Sequence, residues 1–176
     1  MSFLTISTSL NKSSRSLLLA REAHRLINQD HQAEFLDLRQ IELPQCDGDQ
    51  SAANENVDAV SKLIQNATCI LLAAPIYNYA ASSAAKNLIE LTGRAWTDKT
   101  VGFICAAGGR SSYMSIMSLA GSLMLDFRCL IIPRFVYADS GAFSGDSITD
   151  QEVRARLEQL VQTAIKLDGV AIPQMP

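Results

Sequence analysis

The segment Ser7-Thr8-Ser9-Leu10-Asn11-Lys12-Ser13-Ser14-Arg15-Ser16 holds six hydroxyls, one amide and two cations, and no acidic residue occurs before Glu22. Hydroxyl and amide side chains donate hydrogen bonds, and a stretch free of carboxylates does not repel an anion. The segment leads into a helical pattern, whose first N–H groups lack intrahelical partners and carry the positive end of the helix dipole. These are the donors a phosphate monoester needs. A helix cap from Ser13 or Ser14 would use one hydroxyl only, so six of them with every acid absent favour the anion. Neither a G-x-G-x-x-G dinucleotide pattern nor the Gly-Lys-Ser/Thr ending of a P-loop is present.

Two other segments have compositions suited to a ligand. Pro75-Ile76-Tyr77-Asn78-Tyr79-Ala80 sets tyrosines and an amide behind a long apolar run. They either flank a flat heterocycle and bond its edge, or form a Pro-led turn whose rings cover the next helix. Ala106-Ala107-Gly108-Gly109-Arg110-Ser111-Ser112 contains paired glycines, which permit positive φ or close approach of backbone to a ligand. On its own Gly-Gly marks only a turn.

The elements that must position these segments alternate in kind. Residues 3–6, 33–38, 68–74, 100–105 and 128–132 read as strands. Residues 16–28, 57–66, 83–91, 114–125 and 149–167 read as helices, with 45–56 a polar loop. Residues 69–74 are apolar throughout, as in a central strand covered on both faces, and Pro75 is expected to end that strand. Thr149 with Glu152 three residues on predicts a capping box at the last helix. This βαβαβαβαβα order predicts a flavodoxin-like three-layer α/β sandwich, a five-stranded parallel sheet of order 2-1-3-4-5 with helices on both faces. Ligands of such sheets bind beyond the carboxyl ends of the strands at the switch point, where all three segments would emerge.

With three ordered segments in place, the chain resembles the NAD(P)H-dependent FMN reductase family. Thr8-Ser9-Leu10-Asn11-Lys12-Ser13-Ser14-Arg15-Ser16 is similar to that family's Gly-Ser-x-Arg-x-x-Ser-x-Asn motif. Pro75-Ile76-Tyr77-Asn78 with Lys86-Asn87 is similar to its Pro-x-Tyr-Asn and Leu-Lys-Asn segment, and Ala107-Gly108-Gly109 to its Gly-rich loop. The resemblance implies an FMN phosphate held by Ser9, Asn11, Ser14 and Ser16, with Ser7 and Arg15 adjoining. It also implies Pro75, Ile76, Tyr77 and Asn78 along the isoalloxazine, and Ala107, Gly108 and Gly109 at its other edge. Thr8, Asn11 and Ser16 depart from the motif's glycine, arginine and asparagine, and Lys12 or Arg15 would supply the missing cation. Arg110 is either a solvated surface residue or a partner for the 2′-phosphate of NADPH.

The expected activity is FMN-dependent oxidation of NADPH or NADH, with free FMN, a quinone, an azo compound or a metal oxyanion as second acceptor. No catalytic side chain is required, because the cofactor carries the chemistry. The rivals are an electron carrier and a non-catalytic scaffold that retains the fold. Carriers are strongly acidic around the flavin, whereas none of the three segments has an acid.

Composition excludes other classes. The 176 residues, 48% hydrophobic and 19% charged, predict one globular domain over 1–176 and no disorder. No apolar stretch approaches the roughly 18 residues of a membrane span, and residues 1–7 do not read as a secretory signal, so a cytoplasmic protein without membrane contact is expected. A net charge of −3 with scattered Lys and Arg argues against nucleic-acid binding. Cys46, Cys69, Cys105 and Cys129 are too far apart for a C-x-x-C metal site, and His24 and His31 read as surface residues. Small-molecule substrates and a homodimer or homotetramer follow from the family resemblance.

Overall fold

A computed structural model describes residues 2–49, 51 and 53–167. The main sheet is built on β1 (Phe3–Ser7), β2 (Ala33–Asp37), β3 (Cys69–Tyr77), β5 (Thr100–Ala106) and β6 (Leu130–Ile131), in spatial order β2-β1-β3-β5-β6 and all parallel. Two short strands complete it: β4 (Ala80–Ala81) folds back antiparallel on β3, and β7 (Val136–Ala138) pairs with β5 beyond β6. The sheet thus has seven strands rather than five, in the expected flavodoxin-like topology. A hairpin of β8 (Phe143–Ser144) and β9 (Ser147–Ile148) stands apart.

Side-chain alternation along β3 divides the core. Ile70, Leu72, Ala74 and Ile76 face one layer of helices, and Cys69, Leu71 and Ala73 face the other. The first layer holds α2 (Glu55–Asn66), α3 (Ser83–Thr92) and α4 (Met117–Phe127); the second holds α1 (Arg15–Ile27) and α5 (Gln151–Leu167). Among the described residues, no helix is long and apolar enough to cross a membrane.

Three local expectations are corrected. Pro75 does not end β3, which continues to Tyr77. β1 has ended opposite Ala73, and on that edge Pro75 O accepts from Ser82 N–H (3.0 Å) just past β4, so the proline forgoes only one bond at the end of a short ladder. The fifth strand, expected at 128–132, is interrupted and resumes as β7. Thr100 and Val101 pair with Leu130 and Ile131, but Ile104 pairs with Val136, so two extra residues bulge out. Pro133 lacks a donor and Arg134 has φ +61°, which breaks the ladder there. The last helix is capped by Asp150, whose Oδ1 accepts from the N–H groups of Glu152 (2.8 Å) and Val153 (3.1 Å), rather than by Thr149. Thr149 instead donates its hydroxyl to Ala142 O.

Leu72 is fully buried and Leu125 is 84% exposed. Leu72→Ala should therefore cost about 2–5 kcal/mol of stability in urea unfolding, and Leu125→Ala less than about 0.5 kcal/mol.

Candidate active site

The loop after β1 is rooted on the central strand. Thr8 donates both its N–H (2.9 Å) and its Oγ1–H (3.0 Å) to Ala73 O. Beyond it the side chains order the loop: Ser9 Oγ accepts from Asn11 N–H (3.3 Å) and Asn11 Oδ1 from Ser13 N–H (2.9 Å). Ser14 is the N-cap of α1, accepting from Leu17 N–H at 3.0 Å and lying 3.1 Å from Ser16 Oγ. Between those two hydroxyls one proton serves the mutual bond and the other is free to donate. The N–H groups of Arg15 and Ser16, first of the helix, have no partner among the described residues, and the first turn has no acid.

The loop rests on an ion pair with a buried carboxylate and a partly exposed guanidinium. Asp37, which ends β2 beside Ser7, is chelated by Arg39, and Arg39 Nη1 reaches Lys12 O at 3.4 Å. Burial of Asp37 opposes its ionisation, but the hydrogen bonds and charge of Arg39 outweigh it and hold the carboxyl below its ordinary value.

Asn78 and Tyr79 form the two-residue turn between β3 and β4, with φ +49° and +65°. A type I′ hairpin demands positive φ at both positions; asparagine tolerates it and tyrosine does so at a cost. Tyr77 and Tyr79 are both more than half exposed, so they do not cover the following helix. The strained turn instead stands at the mouth of the cleft, where such outliers concentrate.

The loop after β5 is fastened from outside. Ala107 N–H donates to Ala138 O (2.9 Å), Ser140 Oγ donates to Gly108 O (3.1 Å) and Tyr137 OH to Gly109 O (2.5 Å). Arg110 Nε meets Asp139 Oδ2 at 2.7 Å.

These three loops enclose one cleft of about 820 Å³. Ser9, Asn11, Ser14, Arg15 and Ser16 line one end; Pro75, Ile76, Tyr77 and Asn78 line the middle; Ala107 and Gly108 close the far side. None of the lining residues is acidic. Ser13 and Ala106 also line it and were not singled out from the sequence. Three expected residues do not line it. Ser7 lies at its base, with a buried hydroxyl that has no partner among the described residues. Gly109 is one residue beyond the wall. Arg110 is turned to Asp139, in a neighbouring cleft of about 410 Å³ with Tyr113, Phe135 and Tyr137. Lys12 is absent from the lining, so Arg15 is its one cationic residue, with the guanidinium carbon 5.7 Å from the centroid of the Phe143 ring. Asn87 is likewise elsewhere: it holds the loop after β2, accepting from Cys46 N–H and donating to Pro44 O. The role of Tyr137 was missed; the aromatic and β-branched run Phe135-Val136-Tyr137 was the available signal.

The residues present fit FMN: the cleft is of ligand size, with free N–H groups, hydroxyls and one arginine at one end, and Pro75 to Asn78 and Ala106 to Gly108 lining the rest. Fold and cleft define a flavodoxin-like α/β protein whose cleft lies at the switch point of the sheet, the place where such folds bind ligands. The model of the NADPH-dependent FMN reductase family matches residues 1–143, and the chain belongs to that family. By that membership it is an oxidoreductase, with FMN and NAD(P)H as the family's cofactors. An NAD(P)H-dependent FAD/FMN reductase of Geobacillus thermodenitrificans (strain NG80-2) is 31% identical over 137 residues, 76% of this chain and 74% of that one. An NAD(P)H:quinone oxidoreductase of Solanum tuberosum is 33% identical over 125 residues, 64% of each chain. Among solved structures, FerB, a flavoenzyme NAD(P)H:(acceptor) oxidoreductase from Paracoccus denitrificans, shares the fold. Its TM-score is 0.77 at 22% identity, over 94% of this chain and 95% of that one.

Thiol chemistry is not built into this cleft. Cys69, Cys105 and Cys129 are buried, and burial pushes the thiols of Cys105 and Cys129 up to about 12. Only Cys46 is partly exposed. A thiol reagent should label one cysteine in the native protein and four after unfolding, with mass spectrometry placing the first label on Cys46.

The Asp37 pair also predicts a pH dependence. Its carboxyl titrates lower in the folded than in the unfolded chain, so its contribution is complete above the unfolded value of about 3.9 and is lost as pH falls through the folded one. Urea midpoints between pH 6 and pH 3 should fall less steeply in Asp37→Asn than in the parent.

Proposed function

We propose that the 820 Å³ cleft is the FMN site, and that the protein oxidises a reduced nicotinamide and reduces a second small-molecule acceptor there. The observation that carries this reading is the acid-free donor set at the start of α1, opposite the slot formed by Pro75–Asn78 and Ala106–Gly108. Ser9, Ser14 and Ser16, the N–H groups of Arg15 and Ser16 and the Arg15 guanidinium hold the phosphate, with Asn11 ordering the loop through Ser13. Pro75 to Asn78 support the heterocycle along one side and the Ala107–Gly109 backbone meets its edge.

The chemistry supplied by bound FMN is acceptance of a hydride from the nicotinamide and its onward delivery to a quinone, an azo compound, free flavin or a metal oxyanion. The chain's contribution is positioning and access. Ala80 and Ala81, directly after the Asn78–Tyr79 turn, have side chains too short to reach across a ring, which leaves a face for the nicotinamide. No general acid or base is needed. The second reading, a carrier without nicotinamide turnover, is not favoured by a cleft lined without acids.

Charge-assisted hydrogen bonds contribute roughly 1.5–3 kcal/mol each. FMN should bind more than tenfold tighter than riboflavin in a fluorescence titration. Ser9→Ala and Ser14→Ala should each lose about tenfold for FMN with little change for riboflavin; Ser14→Ala additionally costs about 1 kcal/mol of apoprotein stability through the lost cap. Equal affinity for the two flavins in the parent would refute the phosphate site. Anaerobic NADPH should bleach the visible band of the FMN-loaded protein, and a band unchanged by NADPH and NADH would point to the carrier.

A further inference from the structure

The loop after β5 is fixed in an unusual way. Four successive residues, Ala107 to Arg110, are each held by one of four successive residues, Tyr137 to Ser140. Two of these bonds use the carbonyls of Gly108 and Gly109. In a trans peptide the N–H points opposite to the C=O. With Gly108 O held by Ser140 and Gly109 O by Tyr137, the N–H groups of Gly109 and Arg110 are therefore turned away from β7. Neither has a partner among the described residues. Tyr137 lines the smaller cleft, whereas Ala107 and Gly108 line the larger one. The carbonyls of Gly108 and Gly109 are thus turned to the β7 side and the free N–H groups to the opposite side, that of β3, where Ala107 and Gly108 line the larger cleft and Gly109 lies just past its wall.

The glycines point the same way. A Cβ at Gly108 or Gly109 would meet nothing within 4 Å, and neither has a positive φ; Gly109 is fully extended at −156°. The packing and backbone of the protein itself therefore do not require glycine at either place. A ligand lying against the backbone does.

We infer that Tyr137 is a positioning residue for the flavin: its phenol holds the peptide between Gly109 and Arg110 so that free N–H donors meet the carbonyl-rich edge of the heterocycle. Ser140 does the same for the preceding peptide. The phenol is fit for this, because burial raises its pKa above the ordinary value and keeps it a donor. The inference rests on the FMN reading of the cleft and extends it to a residue that does not touch the ligand. Donors at that edge favour the more electron-rich reduced ring over the oxidised one, so the bond from Tyr137 to Gly109 sets affinity and potential together.

The test is Tyr137→Phe, which keeps the ring against Tyr113 (centroids 5.5 Å apart) and removes one hydroxyl. Affinity for FMN and for riboflavin should fall by the same factor, about three- to tenfold. The preference for FMN should be unchanged, and the midpoint potential of bound FMN should move to a more negative value. Ser14→Ala, acting at the phosphate end, should change the FMN preference instead. Ser140→Ala should reproduce the Tyr137→Phe pattern at smaller amplitude, and it carries the test if Tyr137→Phe does not fold. Unchanged affinity for both flavins overturns the inference. So does weakened binding with an unchanged potential, the mark of a merely structural role. If the parent binds neither flavin, the FMN reading fails and this one with it; if the parent binds and the variants match it, only the positioning role fails.

Discussion

The parallel ladder that β3 makes with β1 on one side and β5 on the other is the constraint from which the site follows. Ser7 is opposite Ala73 and Ala106 opposite Pro75, so the chains leave β1, β3 and β5 within a few residues of one another at the same sheet edge. Parallel pairing leaves no alternative, because it puts the carboxyl ends of all three strands at one edge. The Ala73 carbonyl alone takes two bonds from Thr8, so the register of β1 against β3 also sets where the serine-rich loop begins. A slip of one residue would exchange the core faces of β3 and carry the loop away from Pro75.

Around this edge the electrostatics have one sign. Of the carboxylates near the cleft, Asp37 is chelated by Arg39, and Asp139 pairs with Arg110 on the outer side of the loop after β5. The lining itself carries hydroxyls, amides, backbone donors and one arginine. Such a lining suits an anion and a polar ring edge without a titrating carboxylate, as expected where the reactive atoms belong to a cofactor. Backbone strain is present at the same place: the Asn78–Tyr79 turn puts a tyrosine at positive φ, and packing of β4 back onto β3 holds it there.

How much of this was legible in the sequence depended on whether a signal was local. The serine-rich loop was readable, because composition and position before a helix are properties of contiguous residues. The strands that alternate or run apolar were readable for the same reason. Where a residue's meaning depended on a distant neighbour, reading failed. Pro75 looked like a strand end because a missing N–H is a local defect, and only the early termination of β1 makes it harmless. Thr149 matched a capping box, yet Asp150 is the residue that reaches the free N–H groups. In sequence Arg110 is open between a solvated surface residue and a nucleotide contact, and the fold sets it, 91% exposed, against Asp139 just after β7.

The sequence by itself determined the α/β order, the acid-free, hydroxyl-rich character of residues 7–16 and the three loops that meet, and its motifs carried the family resemblance. Each of these is written in composition, periodicity or spacing along a short stretch. Only the tertiary structure decided that the fifth strand resumes after Pro133 and Arg134, and that Tyr137 to Ser140 then buckle the loop of Ala107 to Arg110 from behind. It also decided which expected residues face the cleft. The physical reason is that hydrogen bonds between segments about 30 residues apart depend on strand register. Register is set by the whole sheet at once, not by the residues it joins.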